Sequence, residues 1–159
     1  MHRRRTSLAA GIVLAAMVLL AGLAGLGRSS AASSASSKSF RAGIRVGAAG
    51  MVLLTLTELL AVSAAESSSP STWTSALDAL YGVSSVAIGL GLIVAGAAVA
   101  RARSWQSPAR WLPLALGVYV FAPMTPLIAV GFLPARLAIV GWMLLFALLG
   151  VALLREQRS

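Results

Sequence analysis

The sequence predicts an all-α integral membrane protein, a bundle of five transmembrane helices, on three observations. Apolar residues make up 58% of the 159 positions and charged residues 11%, against roughly 45–50% and 25% in a soluble domain. The chain divides into five apolar runs, each near the ~20 residues that cross the hydrocarbon layer as a helix. The charges fall almost wholly between those runs.

Composition also narrows the chemistry. The chain has no Cys, and its single His is His2. No thiol nucleophile or thiolate metal site is possible, and the usual general base and metal ligand is missing from every apolar run. No metal, no cofactor and no enzymatic activity are therefore expected. The net charge of +9 comes from 13 basic residues, all Arg except Lys38. Because they cluster between apolar runs, they read as topology signals and contacts to anionic lipid headgroups, not as a nucleic-acid surface.

The first span is expected over 8–27, preceded by Arg3, Arg4 and Arg5. A cleaved signal peptide is the alternative, but its apolar core is usually only about 7–15 residues. Residues 1–27 thus form an N-terminal helix, or signal anchor. The Ser-rich stretch 28–43 reads as a flexible linker, because it lacks the apolar residues of a core. Residues 44–159 form a four-helix core.

Within that core the second span is expected over 44–65. Gly43 and Gly47, four apart, are small enough to let two helix backbones approach in lipid. A polar turn follows at 66–76, with Pro70 as a helix stop and Trp73 at headgroup depth. The third span is expected over 77–100. Ser75 and Asp78 have the spacing of a capping box, and Gly82, Gly89, Gly91 and Gly96 make it a close-packing partner. The loop 101–111 holds three Arg and two Trp, a headgroup composition. The fourth span is expected over 112–133. Pro123 and Pro126 each remove an amide donor and free the carbonyls of Tyr119 and Ala122, which makes them hinge candidates. Pro134 is expected to separate it from the fifth span, 135–154.

The C-terminal half, WLPLALGVYVFAPMTPLIAVGFLPARLAIVGWMLLFALLG, carries a Pro-x-x-Pro and a Gly-Trp-Met. Over roughly residues 77–154 it resembles small multi-spanning membrane proteins of actinobacteria that have no assigned activity. The resemblance implies a helical membrane fold and no functional residues.

Basic residues set the expected orientation. With five spans and the N-terminus outside, nine Lys and Arg face the cytoplasm and four face out; the reverse orientation inverts the numbers. The positive-inside rule therefore favours a cell-membrane protein with a cytoplasmic C-terminus, although it obliges Arg3 to Arg5 to cross.

One acid stands inside a span. A charge at that depth is costly and marks a functional-site hypothesis by default. Glu58 lies seven residues from the expected outer end of its helix, or ~10 Å at 1.5 Å per residue. Counting the same depth along the other spans gives Ser84 and Ser85, Thr125 and Trp142, all able to donate a hydrogen bond to a carboxyl group. These five residues form the expected polar layer. It contains no cation, no paired nucleophile and base, and no metal cluster. Two functions fit. One is a non-enzymatic membrane component, in which Glu58 is a hydrogen-bonded strut or meets a partner helix or second copy of the chain. The other is a small proton-linked carrier, with Glu58 titrating and the proline-broken span moving.

Overall fold

A computed structural model describes residues 17, 20–25, 38–64, 72–102 and 108–156. All the described residues are helical apart from Gly131, and no strand occurs among them. We label the helices α1 (Lys38–Ala64), α2 (Thr72–Ala102), α3 (Leu112–Tyr119), α4 (Thr125–Val130) and α5 (Phe132–Glu156). A 3-10 turn at Pro108–Trp111 leads into α3, and a π-helical turn at Val120–Met124 joins α3 to α4. Four segments are long and apolar enough to cross a membrane: Lys38–Ser63, Trp73–Ala102, Ala109–Val130 and Phe132–Arg155. The third of these is α3, the π turn and α4 in sequence.

The expected first span, 8–27, falls mostly outside the described residues. Residues 20–25 are helical. Leu23 among them is 2% exposed and joins the common core. A Cβ on Gly25 would lie 3.9 Å from Leu153 Cδ1 near the end of α5.

The helices pack in chain order. α1 packs on α2, α2 also on α3 and the π turn, and the third span on α5. Among the described residues, α1 and α5 make no substantial contact with each other. Small residues explain how the row closes up. Gly43 meets Ala95 and Gly91, Gly47 meets Gly91, and Gly50 meets Ile88. Gly96 then meets Pro113 and Leu114, Gly117 meets Ile93, and Gly89 meets Phe121 and Val120. α2 therefore presents glycines to both neighbours, and lipid-embedded helices gain their attraction from this close backbone contact. Gly82 faces no neighbour within 4 Å, so it takes no part in packing. The outward faces are apolar and exposed, as at Val52, Leu56 and Leu60 on α1 and Leu137, Leu144 and Leu148 on α5. In water such contiguous apolar surface would drive association; lipid is the solvent that tolerates it.

Three element boundaries differ from the sequence reading. α1 begins at Lys38, inside the expected linker, because Phe40 is 3% exposed and anchors the first turn in the core. Lys38, Arg41 and Arg45 occupy the exposed side of those same turns. α2 begins at Thr72, so Ser75 and Asp78 lie within the helix and are not its cap. The third break comes at Gly131, not at Pro134. Gly131 has φ 149° and ψ −177°, a conformation that a Cβ disfavours. Its carbonyl accepts from the Ala135 N–H at 3.1 Å. Pro134 fits in the first turn of α5, where its missing N–H costs nothing.

Candidate functional site

Glu58 lies in the second-last turn of α1 and is half-buried. Its helical neighbour Thr57 faces α2 and is fully buried. The glycine contacts fix the antiparallel register of the pair: steps of three or four residues along α1, from Gly43 to Gly47 to Gly50, match steps back along α2 from Ala95 to Gly91 to Ile88. Extending that register brings Thr57 and Glu58 opposite Leu80 and Tyr81. The Tyr81 hydroxyl lies near the Glu58 carboxyl group across the seam, where the phenol can act as donor and the acid as acceptor. Asp78, one turn toward the start of α2, is exposed and adds negative charge beside Tyr81.

Within the expected layer, the hydrogen bonds of Ser84, Thr125 and Trp142 go to backbone carbonyls. Ser84 is fully buried, and its Oγ donates to its own helix, to the Leu80 carbonyl at 2.6 Å. Ser85 is half-buried on the next position. Thr125 is exposed on the third span and donates to the Val120 carbonyl at 2.7 Å. Trp142 is 5% exposed on α5 and donates through Nε1 to the Leu116 carbonyl at 3.4 Å. The physical reason is twofold. Equal-depth pairing assumed a later start for α2, which displaced its register against α1 by about one turn. Depth also says nothing of lateral position: among the described residues α1 packs on α2, α2 on the third span and the third span on α5, which carries Trp142.

Tyr81 is the partner that depth counting missed. A tyrosine three residues before Ser84 carries a phenolic donor long enough to reach across a seam, and that length was the available signal. Two threonines of α1 behave as Ser84 does. Thr55 donates to the Met51 carbonyl and Thr57 to the Leu53 carbonyl, each at 2.8 Å. Short side chains in lipid satisfy themselves on the preceding turn.

The third span carries a second polar irregularity. Pro123 falls inside the π turn, and the Val120 carbonyl accepts from both the backbone N–H and the Oγ1 of Thr125. The bond from Thr125 N–H to the Val120 carbonyl spans five residues, so the turn that contains Pro123 is one residue wider than an α-helical turn. Pro126 stands in the first turn of α4, where the lost donor is harmless. Beyond the π turn the span leaves α2: α4 packs on α5 and has no buried residue, and Ile128 and Val130 are exposed. On the α5 side the contact is aromatic. The Tyr119 hydroxyl fits against Gly141, and Trp142 meets Phe146 edge-on at 4.8 Å and 85°.

The chain matches no known protein family, no curated protein and no solved structure. Among the described residues no group of three or more His, Cys, Asp or Glu stands close enough to hold a metal ion. What the site offers is one acid held by one phenol at a helix seam.

Proposed function

We propose that the chain is a non-enzymatic integral membrane component of five spans. In this reading Glu58 is a strut that fixes the α1–α2 hairpin, and the apolar outer faces are open to lipid, to a partner helix or to a second copy. The observation that carries it is the nearness of Tyr81 to Glu58 at the α1–α2 seam, because an acid with a donor at hand inside the protein needs no external partner. The fifth span, over 8–27, is an extension of the four membrane-capable segments of the described residues; in its favour are the apolar run itself, the buried Leu23 and the nearness of Gly25 to Leu153. An N-terminus outside and a C-terminus in the cytoplasm are supported by charge. Lys38, Arg41, Arg45, Arg101, Arg110 and Arg155 share one end of the row, and only Arg136 among the described basic residues stands at the other.

Orientation is tested with single cysteines, which the chain naturally lacks. Ser69→Cys is expected to react with a membrane-impermeant thiol reagent on intact cells, and Ser159→Cys only after permeabilisation. External labelling of Ser159→Cys would reverse the orientation.

A second reading, a small proton-linked carrier, is favoured by one observation: the third span is broken by a proline-bearing π turn and its outer half has parted from α2. π turns are frequent at functional sites. The two readings separate in proteoliposomes carrying a pH-sensitive dye. The strut reading expects no flux above empty liposomes, with or without Glu58→Gln. Flux in the wild type that vanishes in a stably folded Glu58→Gln variant would select the carrier, because only titration has been removed.

A further inference from the structure

α2 and the third span meet in a repeating register. Gly96 meets Leu114, Ile93 meets Gly117, and Gly89 meets Phe121. Each step toward the start of α2 is matched by an equal step forward along the third span. Gly82, Gly89 and Gly96 stand seven residues apart, on one face of α2. Leu114 and Phe121 are seven apart as well, so the next member of their series is Ile128. The register thus calls for a third contact, between Gly82 and Ile128. The structure does not make it. A Cβ on Gly82 would meet nothing among the described residues within 4 Å, Ile128 is 52% exposed, and α4 has no buried residue.

The π turn lies between the contacts that form and the one that does not. Its extra residue, at about 100° per residue, moves the face of everything after it by one position. The place that Ile128 would take in an uninterrupted α-helix falls to Ala129, and Ile128 is turned away from Gly82. Pro123 sits inside the turn. In α register the donor for the Tyr119 carbonyl would be residue 123, and a proline has no N–H. In π register the donor is the N–H of residue 124 instead. At its other end α4 stops at Gly131, whose φ of 149° favours glycine. α4 therefore runs between two joints and packs on α5, with no substantial contact to α2.

We propose that the third span is a two-register switch. In one state the π turn holds α4 off α2. In the other the turn narrows to α-helical, the Thr125 N–H passes from the Val120 carbonyl to that of Phe121, and α4 rotates to put Ile128 into the notch at Gly82. The second state gains a glycine seam like the one at Gly89 and leaves the Tyr119 carbonyl without a donor. The first keeps that hydrogen bond and forgoes the seam. One packing contact set against one backbone hydrogen bond is a close balance, which is what a two-state element needs. The switch rests on packing alone and holds for a strut or a carrier, so its failure would leave both functional readings standing.

The test uses cysteine pairs, since the chain has no cysteine of its own. Gly82→Cys is combined with Ile128→Cys or with Ala129→Cys in the full-length protein, reconstituted in lipid nanodiscs. Disulfide formation within the monomer is followed by mass under a mild oxidant. The pair with Ile128→Cys is expected to cross-link, and about fivefold faster once Pro123→Ala is added, the worth of one backbone hydrogen bond restored to the Tyr119 carbonyl. The pair with Ala129→Cys is expected to slow with the same addition. A folded Pro123→Ala protein that leaves both rates unchanged would overturn the switch, because the turn would then not set the register. Absence of any disulfide within the monomer for the Ile128→Cys pair would overturn it too, with lipid as the permanent occupant of the notch. Should Pro123→Ala fail to fold, that pair alone decides: a disulfide shows that Ile128 visits Gly82, and none shows that it does not.

Discussion

Gly91→Leu is expected to abolish or severely weaken folding, while Gly82→Leu on the same helix stays near wild type. A Cβ at Gly91 would collide with the backbone of Gly47 and with the Gly43 carbonyl, and backbone has no rotamer with which to yield. Overpacking a seam costs about 1–3 kcal/mol where side chains can adjust, and here the helices themselves must separate. Gly82 has nothing within 4 Å and gives up only glycine's poor helix propensity. The pairing of α1 with α2 also predicts an asymmetry within α1. At Gly43 a Cβ would lie 2.7 Å from the Ala95 nitrogen, whereas at Gly47 the nearest neighbour is the Gly91 backbone at 3.9 Å. Gly43→Ala should therefore lower thermal stability in detergent, and Gly47→Ala should be tolerated. If Gly91→Leu and Gly82→Leu unfold alike, the seam does not control stability.

Removing either member of the Tyr81–Glu58 pair is expected to cost more than removing both. Tyr81→Phe leaves a half-buried carboxylate without its donor, and Glu58→Leu leaves a phenol without its acceptor. Each stranded group costs about 1–3 kcal/mol. The double variant leaves neither polar group, and replacing both partners with apolar ones is often close to neutral. The four proteins form a double-mutant cycle that is read from unfolding in detergent. A favourable coupling above about 0.5 kcal/mol is expected, beyond what independent sites show. Additive effects would mean that the bond holds nothing together, and Glu58 would lose its role as a strut. Glu58→Gln is the intermediate case: the amide oxygen still accepts from Tyr81, so it should retain more stability than Glu58→Leu.

The sequence by itself determined the helical class and where four membrane-capable segments lie. Apolar runs near the length of a bilayer crossing admit few other solutions, because backbone polar groups in lipid must be satisfied within the segment. It also singled out Glu58, since an acid inside an apolar run is visible without any fold. The exact ends of helices were less legible. Phe40 extends α1 into a Ser-rich stretch because its ring finds a core, and Gly131 breaks the chain ahead of Pro134 because it adopts a backbone angle that Pro134 has no need to supply.

Only the tertiary structure decided what Glu58 touches. The choice between Ser84 and Tyr81 is a shift of about one helical turn in register, and register depends on which glycine meets which backbone. Gly43, Gly47, Gly82 and Gly91 are chemically identical in the sequence; contact alone makes one of them indispensable and another idle. The same holds for Thr125 and Trp142. Their depth along the membrane is a one-dimensional quantity that the sequence records. Their separation from Glu58, by α2 for Thr125 and by α2 and the third span for Trp142, is lateral, and it follows from a packing order that no single helix encodes.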